Sequence, residues 1–269
     1  MGSGQGKTRR VQSSRGGSQD EETLRGLHNQ WQAADLRAPR QQTATVASAK
    51  HPSQNEDRAL CDPAKGIAAV FDGMGGEDGG EMASSTACGL FTERLEERSE
   101  QTDDLEAAGM WLRQTLMEAG QAVRVNQRLY SDLKEQAATG IVVQLIGNKA
   151  LVSSVGDSRV YRYSAEGGLE RLGYWEDHRP EMRELNVRLD EVDTREELRG
   201  NDELLNHFYQ RNIIDEALGY TTKWPGVSEH DVASGDILFA CTDGIHDNLT
   251  GAELAALLAQ TIEQGTHLS

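Results

Sequence analysis

The chain has 269 residues, with 44 acidic against 27 basic side chains and a formal net charge of -17. That length suits one large domain or two small ones with a sizeable core, and the acidic excess argues against a duplex-binding surface, because phosphate contacts need clustered Lys and Arg. No apolar stretch approaches the roughly 18 residues a membrane span needs, no apolar signal core opens the chain, and Cys61, Cys88 and Cys241 lie far apart with no Cys-x-x-Cys, so the expectation is a reduced, soluble, cytoplasmic protein without nucleic-acid or membrane partners.

Residues 1–19 (MGSGQGKTRRVQSSRGGSQ) are rich in Gly, Ser, Arg and Lys and have scarcely an apolar side chain to bury, which predicts a disordered basic tail. GSGQGKT within it mimics a phosphate loop, but Met1 stands where the pattern needs Gly and no strand precedes it. Leu24, Leu27, Trp31 and Ala34 recur at helical spacing before Pro39, which predicts a short amphipathic segment. Residues 1–42 therefore read as tail plus that segment, and 43–269 as the main domain.

The domain opens with an extended run, ATVASA, from Thr43, and a strand follows the polar HPSQNEDR segment. Another strand is expected over Ile67 to Phe71. From about Asp78 to Arg98 the pattern turns helical, with Met82, Leu90, Phe91 and Leu95 assigned to one side. A second helix runs to about Gln136, its face traced by Leu105, Ala108, Leu112, Leu116, Ala119 and Val123. TGIVVQLIG and KALVSSVGDS are β-rich and meet at Gly147-Asn148, a two-residue hairpin turn. RVYRYS and LERL read as further strands, 175–211 as helix plus mobile loop, Asp236 to Cys241 as a last strand, and Ala252 to Ile262 as a helix. Strands in sequence and helices in pairs predict antiparallel sheets covered by helices, not βαβ repetition.

Acids recur at the strand ends. VFDG places Asp72, SVGDS places Asp157 and CTDG places Asp243 directly after apolar runs, while Glu56 and Asp57 precede another. If those ends converge, unpaired carboxylates in a cleft cost several kcal/mol per buried ion, by rough estimate, unless cations compensate. Oxygen donors with little His or Cys nearby favour Mg²⁺ or Mn²⁺ over zinc. Each acid could instead sit in a turn or a solvated loop, since Asp-Gly is a common turn pair.

Together, NEDR, VFDGMGG, TG before a strand, SVGDSRVYRY, Asp177-His178, Ala217 to Gly219 and CTDGIHDNL resemble the metal-dependent PPM or PP2C-type protein serine/threonine phosphatases in their compact bacterial form, over about Thr43 to Leu254. The resemblance implies an α+β fold, a four-layer αββα sandwich of two antiparallel sheets flanked by helices, with a two-metal site at one end. By position, Asp72 would bridge both metals, Glu56 and the Gly73 carbonyl would hold one, and Asp243 the other. Asp57 would orient water, and Asp157 and Asp247 match positions that, with Asp243, can hold a weaker third ion. The charged stretch from His178 to Arg211 falls where the family carries its substrate-facing flap. The implied reaction is hydrolysis of phosphoserine and phosphothreonine in proteins by a dimetal-activated water, opposing a Ser/Thr kinase, without a phosphoenzyme.

Met74 stands where eukaryotic relatives often have His and bacterial relatives commonly have Met. Two features depart from the family pattern. Pro52 occupies the place of a phosphate-gripping Arg, whose charge-assisted bond contributes about 1.5–3 kcal/mol; Lys50 and His51 are the candidates to replace it. The chain also ends at Ser269 before the family's terminal Asp-Asn pair and last strand, so the domain reads as C-terminally incomplete. Pro52 and the absent terminal Asp favour the alternative function, a pseudophosphatase that binds a phosphorylated or other partner without turnover, whereas the surviving acids favour the enzyme.

Overall fold

The computed structural model describes Thr43, Thr45 and residues 55–75, 79–98, 102–130, 135–173, 184–185, 187–189, 191–192, 194–210, 216–220 and 223–263. The tail and amphipathic segment expected over 1–42 lie outside them. Of the extended run expected from Thr43, just Thr43 and Thr45 are described, both exposed and in no strand.

Strand β1 (Asp57–Asp62) pairs antiparallel with β2 (Ile67–Met74). The two-residue β3 (Ala137–Ala138) pairs with the end of β2, and β4 (Gly140–Ile146) with its body. β4 turns through Gly147-Asn148 into β5 (Lys149–Val155), with Ile146 opposite Lys149; Gly147 takes φ 59°, the left-handed backbone this tight turn demands. β8 (Gly226–Asp231) joins at β5, which gives the order β1-β2-β4-β5-β8. A second sheet has β7 (Gly168–Leu172), β6 (Arg159–Ser164) and β9 (Ile237–Cys241) in that order. RVYRYS thus begins the second sheet and does not extend the first.

Period-two alternation sorts the side chains. On β2, Ile67, Ala69 and Phe71 face the helices, whereas Ala68 and Val70 face the other sheet. β4 divides likewise, Val142 and Ile146 one way and Ile141 and Val143 the other, which accounts for the near-continuous apolar run a doubly covered strand shows, broken here by the buried Gln144.

Helices α1 (Gly79–Glu97) and α2 (Leu105–Leu129) cover the first sheet. On α1 the buried line is Ala83, Ala87, Phe91 and Leu95, four residues apart. Met82 is exposed, which corrects its expected place beside Phe91: nine residues at 3.6 per turn put the two on opposite faces. Asp104 caps α2 by accepting from the N–H groups of Glu106 and Ala107. Ala108, Leu112, Leu116, Ala119 and Val123 are buried as expected. The helix stops at Leu129, short of Gln136, where Tyr130 turns to extended backbone.

Within 175–211 lie α3 (Arg195–Arg199) and α4 (Asp202–Gln210), packed around Val192, Leu198 and Leu204. α5 (Asp243–His246) follows β9 directly. α6 (Gly251–Glu263) sets Leu254 and Leu258 on Tyr161 and Cys241, the outer face of the second sheet. The layers are therefore α1 and α2, first sheet, second sheet, α6: the αββα sandwich. Among the described residues no helix is long and apolar enough to cross a membrane.

Candidate active site

The acids collect where strands of both sheets end. Asp57 opens β1 and is the direct register partner of Asp72 near the end of β2. Directly opposed residues of an antiparallel pair project to the same side, and two like charges there destabilise the pair. Asp157 lies just past β5, and Asp243 just past β9 as the first residue of α5. One tip of the sandwich, between its two sheets, so receives carboxylates from four strand ends.

Electrostatics registers that convergence. Burial, then Asp57, Asp243 and Asp157, push the Asp72 carboxyl up to about 9 from an ordinary 3.8. Burial and Asp243 raise Asp157 to about 6, with Arg159 opposing and Asp247 adding to the rise. Asp57 is also raised by burial, against a hydrogen bond from Thr242 Oγ1 to its Oδ2 at 3.2 Å. Asp247 caps the end of α5, its Oδ1 3.2 Å from Nδ1 of the buried His246, whose pKa burial lowers to about 4.

Glu56 sits differently. Its carboxylate and the Gly73 carbonyl both crowd the point a side chain on Gly80 would fill: a Cβ there would come 2.4 Å from Glu56 Oε1 and 2.7 Å from Gly73 O. Gly80, in the first turn of α1, is thereby the residue that admits both oxygens. The Gly73 N–H donates to the Glu56 carbonyl at 3.1 Å, which ties the two backbones together. Around them the NEDR segment fixes itself. Asn55 Oδ1 accepts from the Asp57 N–H at 3.0 Å, while Arg58 reaches the Asn55 and Asp57 carbonyls and pairs with Glu81 at 2.7 Å.

Asp57, Asp72, Asp157 and Asp243 thus act on one another, Asp247 acts on Asp157, and Glu56 meets Gly73 at Gly80. Lys50, His51, Pro52, Asp177 and His178 lie outside the described residues. Among the described residues no three His, Cys, Asp or Glu side chains close into a ready metal cage. The donor chemistry nevertheless fits hard divalent cations. Asp157 Oδ1 is buried with no hydrogen-bond partner, Asp72 is held among three other acids, and the oxygen donors gathered here are carboxylates and the Gly73 carbonyl.

Four residues escaped the sequence reading: Gly80, Thr139, Ser158 and Thr242. Thr139 is bonded to Asp72 twice, its N–H to the Asp72 carbonyl at 2.7 Å and its Oγ1 accepting from the Asp72 N–H at 3.2 Å. Its hydroxyl also meets Ser158 Oγ at 2.7 Å. The signals were present as the Thr of TG, the Ser of GDS and the Thr of CTD, each beside an acid or opening a strand.

Comparison with known proteins points to one family. The profile of the Protein phosphatase 2C family matches residues 49–267. The chain is 27% identical over 199 residues to the serine/threonine phosphatase Stp of Listeria monocytogenes, covering 71% of each chain. It resembles the structure of PppA of Pseudomonas aeruginosa with 26% identity and a TM-score of 0.57, covering 77% of this chain and 79% of that one. The catalytic domain of the phosphatase PstP, in complex with two manganese ions, aligns over 86% of this chain and 90% of its own at 21% identity, TM-score 0.54.

Proposed function

The chain belongs to the Protein phosphatase 2C family, and from that membership we propose that it is a metal-dependent protein serine/threonine phosphatase. The observation that carries the reading is Asp72, a carboxylate raised to about 9 by burial and three neighbouring acids from both sheets. A structural turn would leave its acid in solvent; this one is held where only positive charge relieves it. The substrates are phosphoserine and phosphothreonine in proteins, products of an opposing kinase in the cytoplasm. The domain spans 43–269, with residues 1–42 as a tail.

Asp72, Asp243, Glu56 and the Gly73 carbonyl are the residues that would hold two Mn²⁺ or Mg²⁺ ions, and Asp157 and Asp247, with Asp243, a weaker third. Bound there, the ions supply an acidified water and neutralise charge on the phosphoryl oxygens. The chain does the rest. The Thr242 hydroxyl fixes Asp57, which orients the attacking water from beside Asp72. Met74, at the end of β2, has no proton to give, so the leaving oxygen is protonated through solvent. Lys50 or His51 meets the substrate phosphate in place of the absent Arg.

The pseudophosphatase reading draws on Pro52, which stands where the family carries a phosphate-gripping Arg. One assay separates the two: hydrolysis of a phosphothreonine peptide with Mn²⁺, with EDTA, and by Asp72→Asn. The enzyme reading expects release of phosphate that EDTA abolishes and that Asp72→Asn lowers at least about a hundredfold. Binding of the peptide without turnover under any metal would establish the pseudophosphatase instead.

A further inference from the structure

Thr139 and Ser158 come from different parts of the first sheet's active end. Thr139 stands between β3 and β4, and Ser158 in the turn from β5 to β6, immediately after Asp157. Their hydroxyls meet at 2.7 Å in the interior, with Thr139 wholly buried and Ser158 4% exposed. The same Thr139 hydroxyl accepts from the Asp72 N–H, and the Thr139 N–H donates to the Asp72 carbonyl. Two hydrogen bonds between Asp72 and Thr139, and a third from the Thr139 hydroxyl to Ser158, thus link the backbone of Asp72 to the residue beside Asp157. Close packing reinforces it. Gly156, at φ 93°, lies so near that a Cβ would come 2.7 Å from Thr139 Cγ2.

Backbone pairing does not require this arrangement. The β2–β4 pairing closes at Val70 opposite Ile141 and resumes with β3 at Gly73 opposite Ala138; between them the Asp72 N–H takes the Thr139 hydroxyl as acceptor where a ladder would supply a carbonyl. Buried hydroxyls cost free energy unless paired, so a fully buried Thr–Ser pair at this point is a specific device when valines would fill the space. Its effect is to fix Asp72 relative to the Asp157 turn.

We propose that the Thr139–Ser158 hydroxyl pair is a positioning element that sets the separation of Asp72 and Asp157, and with it the affinity of the acidic tip for divalent cations. The inference rests on the metal-dependent reading above. It assigns no ligand role to either hydroxyl: both act through the acids they hold.

The test is Mn²⁺ titration of the full chain by isothermal calorimetry and by melting temperature, with no substrate present. Thr139→Val and Ser158→Ala are expected to weaken Mn²⁺ binding about five- to tenfold, the loss of one net hydrogen bond's worth of preorganisation. Thr139→Ser, which keeps the hydroxyl, is expected to bind as the natural chain does. A purely structural pair would lower the metal-free melting temperature and leave the Mn²⁺ dissociation constant unchanged, which would overturn the proposal. Ser158→Ala removes only the far hydroxyl, so it decides the matter even where Thr139→Val does not fold. If the natural chain itself takes up no Mn²⁺, the metal reading and this proposal fall together; if it binds and the variants bind equally, only this proposal falls.

Discussion

Removing the charge at Asp72 should stabilise the metal-free protein, the reverse of what polar-site substitutions usually do. The carboxyl sits at about 9 in the folded chain against 3.8 as a free side chain. At pH 7.5 the folded state must therefore keep a proton that the unfolded chain has released. At about 1.4 kcal/mol per pH unit, the span from 3.8 to 7.5 amounts to about 5 kcal/mol. Side-chain relaxation and water entry around Asp57, Asp157 and Asp243 would leave about half of this. Asp72→Asn is isosteric and retains both backbone bonds to Thr139. It should add about 2–3 kcal/mol, a rise of about 5–10 °C in melting temperature for a domain of this size. The assay is thermal unfolding in EDTA, followed by the same series in Mn²⁺. Manganese should raise the natural chain's melting temperature and leave Asp72→Asn almost unmoved, since ligand stabilisation needs the site intact. If Asp72→Asn melts at or below the natural chain in EDTA, or if Mn²⁺ lifts both equally, the acids are not in mutual repulsion and the argument fails.

The pH dependence follows with a definite sign. Asp72 and Asp157 are raised, so the folded state binds more protons than the unfolded one above 3.8, and their contribution to stability is lost as pH rises through about 6 for Asp157 and about 9 for Asp72. His246 acts oppositely, its contribution vanishing as pH falls from 6.5 through about 4. Between pH 6.5 and 8.5 the metal-free melting temperature should therefore fall with rising pH; a rise measured in EDTA would contradict the assignment. Gly80→Ala puts a Cβ 2.4 Å from Glu56 Oε1 and 2.7 Å from the Gly73 carbonyl, so Mn²⁺ affinity by calorimetry should fall at least about tenfold with about 1–3 kcal/mol of stability lost. Unchanged affinity would remove Glu56 and Gly73 from the ligand set. Phe91→Ala empties a fully buried position between Phe71, at 6.0 Å, and Trp111, at 5.5 Å. Urea unfolding should register a loss of about 3–5 kcal/mol, and a loss below 1 kcal/mol would mean the α1 face collapses freely.

The fold was legible wherever burial dictated which side chains had to be apolar. β2, β4 and β5, buried or half-buried along their whole length, read as largely apolar runs, α2 repeats its apolar side chains turn by turn, and the hairpin at Gly147-Asn148 carries its own turn chemistry. β8 was missed because its sequence, GVSEHD, is polar at four of its six positions and places only Val227 on the helix-covered core; backbone bonds to β5 hold it, and those leave no mark in the sequence. Met82 was misplaced because a methionine invites a core assignment from its hydrophobicity, whereas the turn count alone puts it opposite Phe91. Assigning RVYRYS to a sheet required knowing that its partner is β9, some 80 residues on in the chain, and no local pattern specifies a partner.

The acids were legible for a different reason. A carboxylate directly after an apolar strand is a local contradiction, so Asp72, Asp157 and Asp243 announced themselves one at a time, and their shared recurrence suggested a single site. What holds them there gave no such signal, because Thr139, Ser158, Thr242 and Gly80 contradict nothing: hydroxyls and glycine are at ease in turns, strand ends and helix starts alike. The difference is physical. An acid's burden is its charge, which is a property of the residue, whereas a positioning hydroxyl matters only through the partner it meets, Thr242 with Asp57 across both sheets and Thr139 with Ser158 across a turn. A convergence of charges is therefore readable from composition and order, and the precision of its placement is readable only from distances.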